Sequence, residues 1–282
     1  MPANAGNGAP STHYVVQVSS FAWLSLVQLV HAPSHSRRAE AARRWARHSL
    51  FLSAGIGAAI IVLMVALDAT EIGWMPPRGT AWLWPVRILT DFGKSAYILW
   101  SLAAILFVIA ISFPRARGTA RALLIGFGTR ILFLFFAVLL PVLAGEALKD
   151  VVGRGRPFVG GQANAFNFSH FAGTEAYASF PSGHAVTAFA LAFAVAAAWP
   201  RLRAAMLIYA VAIAASRLVL LAHHPSDVVA GALVGVIGAM FVRYWFAARH
   251  LAFTIRSDGA IEPLAGPSLG HLKRVARGAF AP

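Results

Sequence analysis

Apolar stretches of about 20 residues, the length that crosses a bilayer core as a helix, recur along the chain between short polar connections. Spans are expected near Ser49–Leu67, Ser95–Phe113, Ile131–Leu148, His184–Trp199, Ala204–Leu221 and Val228–Trp245. Helix is the expected element because backbone polar groups in lipid must be satisfied within their own segment. The fourth run is short, and the Pro181-Ser182-Gly183 ahead of it is expected to lengthen it. The pattern predicts an all-α fold: a polytopic membrane bundle of six transmembrane helices over residues 49–248. An N-terminal segment, 1–48, and a basic tail, 249–282, flank it.

Segment Tyr14–Val30 is apolar but interrupted by Gln17, Ser19, Ser20, Ser25 and Gln28. No basic region precedes it, which argues against a cleaved signal. The expectation is an interfacial helix, with a seventh span as the alternative.

Composition agrees with the pattern. The chain is 59% hydrophobic and only 12% charged, against about 25% charged in an ordinary soluble domain. The net charge of +14 could point to nucleic acid, but its placement argues otherwise. Arg37, Arg38, Arg43, Arg44 and Arg47 precede the first span; Arg115, Arg117, Arg121 and Arg130 lie between the second and third. Arg201 and Arg203 separate the fourth and fifth, and Arg243, Arg249, Arg256, Lys273, Arg274 and Arg277 close the chain. Basic loops mark the cytoplasmic side, so both termini are expected there. Trp74, Trp82 and Trp84 fall on the opposite side, as an aromatic belt would; contact with a lipid substrate is the sharper alternative. Cysteine is absent, so no disulfide framework or Cys-based metal site exists.

Some basic residues sit where a membrane protein should avoid them. Lys149, Arg154 and Arg156 follow directly on the third span, and Arg217 lies within the fifth. Charges at such depth usually face a polar cavity and serve a function. Three outer segments stand out: Lys149 to Arg156-Pro157, Pro181-Ser182-Gly183-His184, and Ser216-Arg217 through His223 to Asp227. The fourth span goes in and the fifth returns, so all three can meet at one depth.

Lysine, six residues and Arg-Pro, then Pro-Ser-Gly-His, then Ser-Arg, five residues, His, three residues and Asp: this order resembles the tripartite signature of the type 2 phosphatidic acid phosphatase (PAP2) family, shared with vanadium-dependent haloperoxidases. The motifs cover Lys149–Asp227, and the helix layout extends the likeness to about Ser49–Trp245. The resemblance implies a lipid phosphatase with His223 as nucleophile, passing through a phosphohistidine. His184 then protonates the leaving group, and Asp227 holds His223 in the attacking tautomer.

Phosphoryl transfer needs positioning and cationic stabilisation above all, and Lys149, Arg156 and Arg217 suit that task. Arginine grips phosphate with paired hydrogen bonds, whereas lysine acts as a point charge. For Arg217 alone, a snorkelling side chain is the plain alternative. Ser182 and Gly183 read as a helix start, and a helix N-terminus also suits an anion. The five-residue gap from Arg217 selects His223 over the adjacent His224. His170 is expected to be solvated. Arg154 occupies an open position of the first motif, where a phosphate or lipid-surface contact is conceivable. Asp91, Lys94, Glu146 and Glu175 are expected as paired structural charges.

No cofactor and no metal are expected: three cations around the histidines would oppose a divalent ion. The expected partner is a lipid substrate at the periplasmic face of a bacterial inner membrane, and not nucleic acid. Candidates are undecaprenyl pyrophosphate, phosphatidylglycerol phosphate, phosphatidic acid or another phospholipid, and the phosphates of lipid A. A soluble haloperoxidase fits poorly. The competing expectations are a lipid phosphotransferase using the same histidine and a non-catalytic transporter or scaffold.

Overall fold

The computed structural model describes residues 10–157, 159–160, 163–256 and 258–265. Lys273, Arg274 and Arg277, assigned above to the tail, lie outside the described residues.

Nine helices follow one another among the described residues: α1 (Pro10–Val30), α2 (His35–Ala66), α3 (Asp68–Trp74), α4 (Trp84–Asp91), α5 (Ser95–Ser112), α6 (Gly118–Val152), α7 (Gly183–Ala198), α8 (Arg203–Val219) and α9 (Pro225–Ala248). A two-stranded antiparallel hairpin, β1 (Phe253–Ile255) and β2 (Ile261–Pro263), comes after them. The chain is thus mostly helical and a multi-pass membrane protein. Among the described residues, six stretches are long and apolar enough to cross a bilayer: His13–Val30, His35–Ala66, Ala81–Arg115, Gly118–Val152, Pro200–Val219 and Pro225–Ala248.

That set differs from the expected one at two places. α7, with 16 residues, is shorter than the others, yet none of its residues is exposed, and it packs against α6, α8 and α9. Its Ala-rich faces let neighbours approach, and Ala185, Ala188, Ala190 and Ala194 are fully covered. Pro181 and Ser182 are buried ahead of it.

α1 is long enough to span, but its contacts lay it flat. Near its start, Tyr14 bonds the Ile111 carbonyl and receives a hydrogen bond from Arg115 at 2.6 Å. Phe21 stacks on Phe113 at 3.9 Å, and Trp245 Nε1 donates to the Leu29 carbonyl at 3.0 Å. Ile111, Phe113 and Trp245 all stand at the same end of the bundle, where α5 and α9 finish. A helix of 21 residues is roughly 30 Å long. Touching that one end from its first turns to its last, it lies along that end of the bundle.

α9 runs through the core against α2, α6 and α7. Gly231 and Gly235 set its distance from α7: an added Cβ would lie 2.5 Å from the Ser182 carbonyl oxygen at the first and closer still to that of Val186 at the second. Small residues four apart allow this backbone approach between membrane helices. The hairpin closes the far end, where Phe253 packs edge-on against Phe133 with ring centres 4.7 Å apart. Arg130 and Arg243 donate to the carbonyls of Leu264 and Ile261 at 2.6 and 2.9 Å.

Candidate active site

The ends of α2, α6 and α8 and the starts of α7 and α9 share one end of the bundle, opposite the flat α1 and the hairpin. The three motifs occupy this end. α6 finishes at Gly153, whose φ of +57° is left-handed. A Cβ there would collide with the Ser169 carbonyl, so the position requires glycine. The turn sends the next residue, Arg154, inward.

Arg154 is fully buried. Its Nη1 donates to Asp227 Oδ1 and Ser226 Oγ, both at 2.6 Å, and its Nη2 donates to Asp68 Oδ2 at 2.7 Å. Nε and Nη2 also reach the Ala165 carbonyl, at 3.0 and 2.7 Å. Asp68 stands at the junction of α2 and α3, accepts from the Ser226 backbone N–H at 3.0 Å, and bonds the Ser226 hydroxyl. With no solvent-facing surface left, Arg154 cannot meet phosphate or a lipid surface. It ties three elements together beneath the site.

His223 lies in the connection between α8 and α9 and is buried. Its Nδ1 is 2.8 Å from the Ser179 carbonyl oxygen, which can only accept. Nδ1 therefore carries the proton and Nε2 presents its lone pair. Burial lowers the imidazole's affinity for a proton, and the charges of Arg217 and Arg156 lower it further, so the ring is held neutral.

The direct Asp227–His223 bond implied by the resemblance is replaced by a relay. Asp227 Oδ2 accepts from Ser179 Oγ at 2.6 Å and from the His224 backbone N–H at 2.9 Å, and Ser179 Oγ lies 3.5 Å from His223 Nδ1. The reason is positional. Asp227 is the third residue of α9, where a carboxylate caps the helix start, and Arg154 claims its other oxygen.

The remaining motif residues surround the two imidazoles. Arg217 donates to Thr90 Oγ1 at 2.7 Å. The charges of Arg217, Lys149 and Arg156 all act on the His184 ring, and those of Arg217 and Arg156 on His223. A Cβ added at Gly183 would lie 3.0 Å from Lys149 Nζ, so this glycine admits the lysine to the start of α7. Ser182 holds the N-cap position of α7, yet its hydroxyl makes no capping bond.

Four motif residues carry buried polar atoms without a partner among the described residues: Ser182 Oγ, His184 Nε2, Arg156 Nε and Arg217 Nε. Buried polar groups are otherwise almost always paired. Converging hydroxyl, imidazole and guanidinium groups suit an oxyanion such as phosphate.

Other expected charges find ordinary partners. Lys94 pairs with Asp91 at 2.8 Å, Lys149 with Glu146 at 2.7 Å, and Arg156 meets Glu175 at 3.9 Å. His224 is buried against Asp68, its Nδ1 3.3 Å from that residue's carbonyl oxygen. His170 is exposed, with Nδ1 2.9 Å from the Val151 carbonyl oxygen. Trp74, Trp82 and Trp84 are exposed. Asp68, Thr90, Ser179 and Ser226 were not anticipated. Asp68 alone had a visible signal, a carboxylate closing a long apolar run.

A family model described as PAP2 superfamily matches residues 130–251, which contain all three motifs. The chain is 32% identical over 204 residues to a lipid A 1-phosphatase of Rhizobium johnstonii, covering 71% of this chain and 82% of the relative. It is 33% identical over 176 residues to a lipid A 1-phosphatase of Rhizobium etli, covering 61% and 75%. No solved structure matches. With the motifs gathered at one end of a membrane bundle, the chain belongs to the PAP2 superfamily of membrane phosphatases.

Proposed function

We propose that this lipid phosphatase removes the 1-phosphate of lipid A at the outer face of a bacterial inner membrane, through a phosphohistidine on His223. The unpaired donors of Ser182, His184, Arg156 and Arg217 carry the phosphate reading. The names of the two Rhizobium relatives support the choice of lipid among the candidates.

In this mechanism Arg156, Arg217, Lys149 and the Ser182 hydroxyl hold the phosphate oxygens, while Gly183 keeps the start of α7 open to them. His223 Nε2 attacks phosphorus along the line of the leaving oxygen. As the P–O bond breaks, His184 gives its proton to the departing sugar oxygen. Water then attacks the phosphohistidine, losing a proton to His184, and inorganic phosphate leaves with the His223 lone pair restored. The Ser179 carbonyl holds the Nδ1 proton throughout, and Asp227 with Arg154 fixes Ser179. Cations pre-placed around the equatorial oxygens stabilise the transition state without rearrangement.

The test is phosphate release by purified protein from a panel: lipid A carrying only the 1-phosphate, lipid A carrying only the phosphate at its other end, undecaprenyl pyrophosphate, phosphatidylglycerol phosphate and phosphatidic acid. The 1-phosphate should turn over at least tenfold faster than the rest. A preference for another lipid would overturn the substrate while leaving the family assignment intact.

A further inference from the structure

The end of the bundle opposite the active site carries two adjoining cavities of opposite character. One, of about 400 Å³, lies between α1 and the ends of α5 and α6, lined by apolar side chains including Phe21, Leu106, Ile109 and Phe113. The other, of about 620 Å³, is basic: Arg37, Arg130, Arg249, His31 and His250 face it. Gln28, Ile125, Thr129 and Leu251 line both, so the two join along a shared wall. Both volumes fall within the range of small-molecule sites, roughly 300–1,000 Å³.

The basic cavity lacks compensating charge. Among the described residues, neither lining includes an aspartate or glutamate. None of Arg37, Arg130 and Arg249 forms an ion pair among those residues. Arg249 stacks over Trp245 at 3.7 Å and keeps a buried Nε without a partner. Burial, and then the charge of Arg38, makes its guanidinium less favourable than usual. This is a place that gains from an anion.

The apolar half selects the kind of anion. A soluble phosphate would fill only the basic cavity. α1 presents Val15, Val16, Trp23 and Val30 outward, all at least 59% exposed, as a helix resting in the lipid interface does. A molecule entering beside α1 from the bilayer would place its headgroup among the arginines and an acyl chain against Phe21 and Ile109.

We propose that these joined cavities bind an anionic phospholipid of the leaflet facing the basic loops, as a site separate from the active site. Anionic headgroups attract such juxtamembrane arginines, and the occupant would bridge α1 to α5, α6 and α9.

The experiment measures the thermal unfolding midpoint of the full chain in neutral detergent, with added phosphatidylglycerol, phosphatidylcholine or inorganic phosphate. Phosphatidylglycerol should raise the midpoint by several degrees, and phosphatidylcholine and inorganic phosphate should not. Arg37→Gln with Arg249→Gln should lose at least half of that rise while keeping phosphatase turnover. Ala110→Phe, which fills the apolar half and leaves every arginine in place, should lose it too. A full rise in both variants would place the lipid elsewhere, the active site included. An equal rise with phosphatidylcholine would remove the headgroup's role, and an equal rise with inorganic phosphate would reduce the site to one for a simple anion; each overturns the proposal.

Discussion

Arg154 donates to Asp227 at 2.6 Å with no part of either side chain open to solvent. The same guanidinium holds Asp68 at 2.7 Å. Arg154 thereby fixes Asp227, which fixes Ser179, whose carbonyl sets the tautomer of His223. Removing one partner of a buried pair leaves an uncompensated charge, at a cost of roughly 3–5 kcal/mol. Arg154→Met should destabilise the protein by about that much, read as a fall in the unfolding midpoint. Asp68→Asn, which retains the Arg154–Asp227 pair, should cost clearly less.

The two histidines should separate kinetically. In the proposed mechanism His223→Ala removes the attacking nitrogen, and turnover should fall to the uncatalysed level on every lipid in the panel. His184→Ala removes the proposed general acid, a change of about 10²–10⁴-fold. That loss should shrink for substrates whose leaving group needs no proton. Near-normal turnover by His223→Ala would sink the mechanism, provided the variant elutes as the native protein does.

Glu71 predicts a pH effect on stability. It is 3% exposed, and neither carboxylate oxygen has a hydrogen-bond partner among the described residues. Burial, and then the neighbouring Asp68 charge, raises its pKa from 4.5 to about 7. The folded state thus binds a proton that the unfolded chain releases above pH 4.5. Stability should decline as pH rises from there to about 7 and level off beyond. Glu71→Gln should flatten that decline and raise the unfolding midpoint in mildly alkaline buffer.

Metal independence is directly testable. Phosphate release should survive dialysis against EDTA, because in the proposed mechanism Arg156, Arg217 and Lys149 supply the positive charge. Vanadate, a phosphate mimic, should compete with substrate. An absolute requirement for Mg²⁺ would contradict this chemistry.

Orientation can be read by labelling. The chain has no cysteine, so Thr174→Cys, at an exposed position of the loop before α7, introduces a single reporter. An impermeant thiol reagent should modify it from the periplasmic side of intact inner membrane. Modification only after permeabilisation to the cytoplasm would reverse the topology.

The catalytic motifs were legible because each is contiguous and chemically costly: Arg217 in an apolar run and Lys149 beside the bilayer have few bland explanations. What was hidden depends on contacts between distant segments. Thr90 meets Arg217 across 127 residues, and Asp68 meets Arg154 across 86; no local periodicity records such meetings. Arg154 shows the same limit from the other side. Its position within the first motif invited a phosphate role, and only the left-handed turn at Gly153 explains why it points inward.

The glycines of α9 have a consequence for how this enzyme could diversify. Gly231 and Gly235 press α9 against α7 with no room for a methyl group. His184 opens α7, and His223 and Asp227 flank the start of α9. The spacing of His184 from His223 and Asp227 is therefore set by this backbone contact. Changes of lipid preference must arise elsewhere, in the loop before α7 and in α3 and α4, which border the site without carrying its histidines. A swap of the exposed residues of those segments between relatives, with Asp68, Thr90, Arg154, Arg156, Ser179 and Ser182 kept, should transfer selectivity and leave the chemical step untouched.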